Sequence, residues 1–387
     1  MTKPRVLVVF GTRPEVIKLA PVLHELRRRE DLDARLCVTA QHREMLDQMM
    51  ANFGLRPDFD LNLMEPEQDL NRLSCRALPR IQAVLKAARP DFLVVQGDTT
   101  TTFVSALAAF YERVPVAHVE AGLRSFDRSN PYPEEINRVM TARLCELHFA
   151  PTETARRNLL TEGIRESDVV RTGNTIVDAL DWCVSRAHRF ADPELRRALE
   201  ALGPQDKAVL VTTHRRENLG GPLESICEAF EILLRTHPGL HLFYPVHMNP
   251  KVQAVVRRRL RHPRAHLLAA LDYFDLVHLL RRCDFVLTDS GGLQEEGPSL
   301  GKPVVVLRRV TERPEAVEAG VAALAGTDPR AIVEISSRLL QDPSFYAGMA
   351  RKVGVYGDGK ASARIVECLR HRLGLRAGMP EHYLCRA

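Results

Sequence analysis

Residues Asp284 to Val306, DFVLTDSGGLQEEGPSLGKPVVV, decide the fold class. DFVLTD is a short apolar run that ends in polar residues, the mark of a buried parallel strand reaching the edge of its sheet. Ser290, Gly291 and Gly292 follow at once, then the helix-compatible LQEEGPSLG, then KPVVVL as another buried strand. Strand, Ser-Gly-Gly turn, helix and strand make a βαβ unit. Its helix N-terminus is nearly bare of side chains, so unpaired N–H groups and a partial positive charge face an anion, most naturally phosphate. Glu295 and Glu296 stand one turn further in. A carboxylate there cannot bind phosphate but can accept hydrogen bonds from ribose hydroxyls, which points to a nucleotide. The bland alternative is a Gly-rich turn with solvated acids.

At 387 residues the chain suits two domains better than one. Its net charge of +5 is too mild to argue for nucleic acid, although it fits an anionic small substrate. Cysteines at 37, 75, 145, 183, 227, 283, 368 and 385 form no CxxC and several lie in apolar runs. They read as small core residues in a reducing compartment, not as disulfides or zinc ligands. The N-terminal apolar run is too short for a signal peptide and no stretch could span a bilayer. A cytoplasmic enzyme or binding protein is the expectation.

The same alternation begins at the N-terminus. RVLVVF, from Arg5 to Phe10, is a buried strand that runs into Gly11-Thr12-Arg13-Pro14-Glu15. Pro14 suits the first turn of a helix, and Val16, Leu19, Leu23 and Leu26 recur at helical spacing. Arg13 at the turn and Lys18 one turn in place cations against the helix dipole, a mismatch that an anion between them would relieve. A single glycine stands here, so the GxGxxG nicotinamide fingerprint is absent, and no GxxxxGK[ST] occurs. Strands follow at Arg35–Thr39, Asp91–Gln96 and Val114–Val119, the last two ending in Asp98 and Glu120. Both acids thus stand at carboxyl ends of parallel strands, where such sheets place ligands. Asp98 could instead cap the Thr-rich helix. Glu120 needs a partner, and Arg124 is one candidate. SFDRSNPYP, residues 125–133, reads as a flap, and Pro133-Glu134-Glu135 opens a helix in which both acids also suit the dipole.

A strand at Val169–Arg171 closes the first half, and a long helix from Ile176 to about Phe190 with a charged connector leads to the second. There Ala208–Thr213 is a strand followed by His214-Arg215-Arg216. Those arginines lower the His214 pKa by like charge if they are close. Phe274, after the strand Ala265–Leu271, is either core or a platform for a base. The last helix spans about Lys360–Leu373, and the final dozen residues read as loosely packed. The fold class is therefore α/β, two Rossmann-like doubly wound domains facing a cleft. The expected division is 1–172 and 173–359. Carboxylates in one half, a phosphate turn in the other, one His and no metal cluster suggest proton transfer at carbon or glycosidic cleavage without a cofactor.

Together these residues resemble the non-hydrolysing UDP-N-acetylglucosamine 2-epimerases. The stretches that carry the resemblance run nearly end to end in one order: GTRPEVIKLAP, VTAQHREMLDQ, GDTTTT, HVEAGLRS, PYPEEINR, HFAPTE, TGNTIVDAL, HRREN, YPVHMNP, LTDSGGLQEEGPSLGKPV and TERPEAVEAG. Departures are small: Gly297 where the family usually has Ala, Val355 where it often has Pro, and Arg309-Val310 where a close relative has Asp-Thr. The resemblance implies a glycosyltransferase-B-like fold whose C-terminal helix, 360–376, packs back on the first domain. It implies anti elimination of UDP to a 2-acetamidoglucal and return of UDP with the opposite configuration at C2, supplying a surface polysaccharide precursor. It implies Asp98, Glu120, Glu134 and His214 as the catalytic set. Arg13, Lys18, Arg138, Ser290, Gly291, Gly292 and Arg313 would bind the substrate, with Glu296 on the ribose and Phe274 near the uracil. Gln41, His42, Arg215 and His247 match positions linked to a second, activating UDP-N-acetylglucosamine, and a homodimer is implied.

Four other readings compete: a hydrolysing epimerase that releases UDP and free N-acetylmannosamine, an epimerase of a modified UDP-hexosamine, a glycosyltransferase on the same fold, and a non-catalytic nucleotide-sugar sensor.

Overall fold

The computed structural model describes residues 3–40, 43–63, 65 and 69–385, with the side chains of 44, 45 and 216 left out. The chain forms two compact units, residues up to Trp182 with Tyr356–Cys385, and Cys183–Val355. These boundaries differ from the expected 172/173 and 359/360. The reason lies in how Thr175–Val184, the helix after residue 172, is fastened. Asn174 N–H donates to the Tyr356 carbonyl at 2.6 Å. Asp178 on that helix accepts from the N–H groups of Ala361 and Ser362 at 3.2 and 2.7 Å, capping the helix Ala361–Arg372. Both segments therefore belong to the first unit.

The first unit contains β1 (Arg5–Phe10), β2 (Asp33–Val38), β3 (Phe59–Asp60), β4 (Phe92–Gln96), β5 (Val116–Val119), β6 (Leu147–Ala150) and β7 (Val169–Arg171). They form one seven-stranded sheet in the order β3-β2-β1-β4-β5-β6-β7, and every pairing is parallel. Apolar residues fill almost every position of β1, β4, β5 and β6 because helices cover both faces of a parallel sheet. The order reverses between β1 and β4, so the crevice that accepts ligands in such sheets opens at their carboxyl ends.

The second unit repeats the plan with β8 (Lys207–Thr212), β9 (Leu240–Pro245), β10 (Ala265–Leu268), β11 (Phe285–Thr288), β12 (Val304–Val306) and β13 (Ala322–Leu324). Their order is β10-β9-β8-β11-β12-β13, also parallel throughout, with the reversal between β8 and β11. The Ser-Gly-Gly turn follows β11 and the His214 turn follows β8, so both stand at that reversal.

Two expectations are corrected. The helix after residue 174 ends at Val184, not near Phe190, and the connector contains its own helix, Pro193–Glu200, capped by Asp192. The C-terminal tail, mostly exposed as expected, is nevertheless tied down at His382 and Tyr383. Tyr383 N–H donates to the Arg171 carbonyl of β7 at 2.7 Å, and the Arg171 N–H donates to His382 Nδ1 at 3.1 Å. The Tyr383 ring lies 5.0 Å from the Arg364 guanidinium, and only 7% of the residue is exposed. A buried Tyr whose ring lies against a cation is held in place by both.

Candidate active site

In the first unit the organising group is Glu120. It takes the left-handed conformation, φ +62°, directly after β5. This turns its side chain back over the sheet edge, where it is buried. Lys18 forms an ion pair with it, the Gln96 amide at the end of β4 donates to it, and Asn174 Nδ2 donates to Oε1 at 3.1 Å. Its partners thus include Lys18, Gln96 and Asn174. Arg124 is occupied elsewhere, donating twice to Glu162 at 2.6 and 2.8 Å.

Asp98 stands on the neighbouring turn. The β4–β5 register pairs Gln96 with Val119, which sets the two acids side by side. Asp98 forms an ion pair with Arg138 and its carbonyl accepts from Asn137 Nδ2 at 2.9 Å. It does not cap the Thr-rich helix; Thr99 does, accepting from Thr102 N–H at 3.1 Å. Behind the turn His118, fully buried on β5, bonds to the Gly97 carbonyl at 2.7 Å through Nε2. Burial drives its pKa down to about 3, so the ring is neutral.

The two acids of the next helix part company. Glu135 is buried and accepts from the N–H groups of Ser125 and Phe126, both at 3.0 Å, pinning the start of the 125–133 loop. It also pairs with Arg138 at 3.2 Å. Glu134 is half-buried at the helix start and, among the described residues, pairs with no cation. Arg13 is exposed at the first helical position and is equally unpaired among the described residues.

In the second unit the organising group is Asp289, fully buried at the end of β11. It accepts from the His214 and Arg215 N–H groups at 3.0 Å and from Asn218 Nδ2 at 2.9 Å. His214 Nδ1 lies 3.3 Å from its Oδ1, which leaves Nε2 for a ligand. Desolvation lowers the His214 pKa first, with Asp289 opposing and Arg215 and His247 adding to the fall. The expected cause, neighbouring arginines, is thus a secondary one. The His247 ring stacks on His214 at 6.0 Å.

Ser290 precedes the helix Gly291–Ser299 without capping it through its side chain. The Arg313 guanidinium takes the space a side chain at Gly291 would need: a Cβ there would lie 2.7 Å from Nη1. A cation against the positive end of a helix is unfavourable by itself. Two acids steady it, Glu295 at 2.6 Å from Nε and Glu312 at 2.9 Å from Nη1. Burial raises the Glu312 pKa, but Arg313 and Arg308 outweigh that and bring it to about 2. The arrangement sets a cation held by two acids against a bare helix start. Glu296 is buried, with its carboxylate beside the Tyr273 phenol, whose pKa burial and that charge push well up. An acid oxygen of Glu296 would be 3.9 Å from a Cβ on Gly292, so the carboxylate reaches back to the helix start. Phe274 is half-buried and meets Tyr273 edge-on at 6.3 Å.

Gln41 and His42 lie outside the described residues. Asp289, Gln96, Asn174, Glu312 and Glu15 were not singled out from sequence. Asp289 carried a signal, an acid closing an apolar strand before Ser-Gly-Gly. Gln96 and Asn174 carried none, because amides at strand ends are common in ordinary turns. Among the described residues no group of three or more His, Cys, Asp or Glu could hold a metal ion, and no helix is long and apolar enough to cross a membrane.

A sequence profile of the UDP-N-acetylglucosamine 2-epimerase family matches residues 24–370. The UDP-N-acetylglucosamine 2-epimerase of Escherichia coli (strain K12) is 49% identical over 372 residues, 95% of this chain and 98% of that protein. The crystal structure of UDP-GlcNAc 2-epimerase from Neisseria meningitidis bound to UDP-GlcNAc superposes with a TM-score of 0.87 at 42% identity, covering 95% of this chain and 100% of that one. The glycosyltransferase SnogD from Streptomyces nogalater, 15% identical, shares the fold with a TM-score of 0.59 over 94% of this chain and 99% of that one. The architecture is thus α/β and glycosyltransferase-B-like. On the near end-to-end identity to curated relatives and the profile match, the chain belongs to the UDP-N-acetylglucosamine 2-epimerase family.

Proposed function

We propose that the protein interconverts UDP-N-acetylglucosamine and UDP-N-acetylmannosamine by anti elimination of UDP and its re-addition to a 2-acetamidoglucal, without net hydrolysis. The observation that carries this reading is the pair of carboxylates on adjacent turns, Asp98 and Glu120, each held by its own cation, Arg138 and Lys18. The C2 proton of the sugar is not acidic, so cleavage of the C1–O bond leads. Positive charge then grows at C1, and a carboxylate fixed at a sheet edge stabilises it. Glu120 suits this role, because its oxygens already accept from Lys18, Gln96 and Asn174. The proton at C2 needs a carboxylate free to take it, and Glu134 has no cation among the described residues to compete for it. The departing diphosphate carries its charge to Arg313 and to the helix N-terminus at Gly291 and Gly292. His214, steered by Asp289, and Arg13 are further partners for that charge. Glu296 holds the ribose and Phe274 lies against the uracil. A group on the opposite face of C2, for which Asp98 is the remaining carboxylate, then delivers a proton drawn from solvent while Glu134 loses its own to water, and UDP re-adds at C1.

The deciding experiment is a proton NMR time course of the purified protein with UDP-N-acetylglucosamine in D2O. The manno isomer should appear, both pools should gain deuterium at C2, and little UDP should be free. Stoichiometric UDP with free N-acetylmannosamine would replace this reading by hydrolysis, and an unchanged spectrum would replace it by binding alone.

A further inference from the structure

The two turns at the strand-order reversal of the first unit share one carboxylate. Glu15, in the first turn of the helix Arg13–Arg28, is 2% exposed. Its Oε2 accepts from Gly11 N–H at 3.0 Å and from Thr12 N–H and hydroxyl, both at 2.8 Å. Its Oε1 accepts from the hydroxyls of Thr99 at 2.8 Å and Thr102 at 3.1 Å. The first oxygen makes an ordinary capping box at its own helix start. The second does something helix capping does not require: it crosses to the β4 turn, on either side of which stand Gly97-Asp98 and the Thr-rich helix. Among the described residues no Lys, Arg or His pairs with Glu15. Burial raises its pKa while hydrogen bonds from the Gly11 N–H and the Thr99, Thr12 and Thr102 hydroxyls oppose the rise.

We propose that Glu15 is a positioning residue, a clasp with one oxygen on each turn that fixes the spacing between Arg13 and Asp98. The proposal rests on the reading that Asp98 acts on a bound nucleotide sugar. The close fit supports the clasp. A Cβ on Gly11 would lie 2.1 Å from Thr39 Oγ1 and 2.7 Å from Thr101 Oγ1, so the β1 turn sits directly on these threonines. The single Thr102 hydroxyl proton is shared between Glu15 and the nearer Gln96 carbonyl at 2.6 Å, so Thr99 is the firmer crossing contact and Thr102 links the clasp to Gln96, whose amide serves Glu120.

The chemistry of the donors sets the test. A glutamine could keep both halves. Its carbonyl would face the two N–H groups, and its NH2 would face hydroxyls that can rotate to accept. Alanine keeps neither, and Thr99→Val with Thr102→Val removes only the crossing half. On the scale of misplaced catalytic groups, Glu15→Ala should lose roughly 100-fold in kcat and the threonine pair roughly 10-fold, with UDP affinity by calorimetry within about threefold. Glu15→Gln should stay within about threefold of wild type, and the combined variant should be no slower than Glu15→Ala, since the losses share one path. Amide hydrogen exchange across Gly97–Thr102, referenced to β6, gives a readout independent of turnover and should quicken by about tenfold in the threonine pair. Multiplying losses, a Glu15→Gln as slow as Glu15→Ala, or unchanged exchange would overturn the clasp. If Glu15→Ala does not fold, the threonine pair, which leaves the capping box intact, decides by rate and exchange. A wild type that binds UDP without turning over would overturn the function instead, and the exchange measurement would still judge the clasp.

Discussion

Replacing Gly291 by Ala adds one methyl group at the start of the helix Gly291–Ser299. That carbon would stand 2.7 Å from Arg313 Nη1 and 2.9 Å from Cζ. Ordinary contact begins near ~3.5 Å, so the guanidinium must retreat by roughly 0.6 to 0.8 Å. It cannot do so freely. Glu295 holds Nε at 2.6 Å, Glu312 holds Nη1 at 2.9 Å, and Arg308 holds Glu312 at 2.6 Å. A displacement of that size costs at least one charge-assisted hydrogen bond to a bound phosphate, worth about 1.5 to 3 kcal/mol. The UDP dissociation constant should therefore rise by roughly 10- to 150-fold. Stability should change little, because the helix propensity gained with alanine, up to about 1 kcal/mol, offsets part of the cost of shifting the guanidinium among its acids. Titration calorimetry with UDP and a thermal melt measure the two quantities together. Arg313→Ala should show a similar loss of affinity, and the double variant should bind no more weakly than Arg313→Ala alone, since the methyl acts through the guanidinium. Binding within twofold of wild type in Gly291→Ala, or losses that multiply in the double variant, would refute the reasoning.

Asn174→Ala removes the 3.1 Å bond to Glu120 and should lower kcat by roughly 10- to 100-fold, the worth of a hydrogen bond to a charged group, while UDP affinity holds; a fall in affinity alone would sink the assignment. Gly122→Ala should cost at least ~3 kcal/mol or prevent folding, because at φ +90° its Cβ would stand 2.1 Å from the Ala155 backbone oxygen; a normal melting temperature would contradict this. Burial lowers the His148 pKa to about 4. Between about pH 4 and 6.5 the unfolded chain takes a proton there that the fold does not, so this residue makes stability rise with pH and is a liability as pH falls. His148→Gln should remove about 1.4 kcal/mol per pH unit from the slope of urea stability in that window, and parallel slopes for variant and wild type would argue against it.

The parallel sheets were legible because their strands are unbroken apolar runs. Val169–Arg171 begins and ends where the sequence places it. Elements that depend on partners were not. β3 has two residues, one of them exposed, and exists only because Cys37 and Val38 pair with it. β13 and the helix Pro329–Gln341 follow the last recognised motif and carry no chemistry to attract notice. The sites divided the same way. Glycines and acids at strand ends announce the sheet edge. Which acid meets which cation is decided by side chains distant in sequence, as Lys18 with Glu120 shows. Arg124 was the nearer candidate in sequence and went instead to Glu162. Gly297, where the family resemblance leads one to expect alanine, has a local reason for staying small here: a Cβ would meet Val304 Cγ2 at 2.5 Å.

The tail that lies along β7 bears on association between molecules as well as on order within one. β7 is the last strand of its sheet, and an uncovered last strand offers its N–H and C=O groups to any other chain. Here the Arg171 N–H and carbonyl are taken by His382 and Tyr383. A protein cut back to the helix Ala361–Arg372 would keep its core but bare that strand. It should then aggregate with rising concentration while its secondary structure stays unchanged, so a shortened version of the chain is best ended beyond Tyr383.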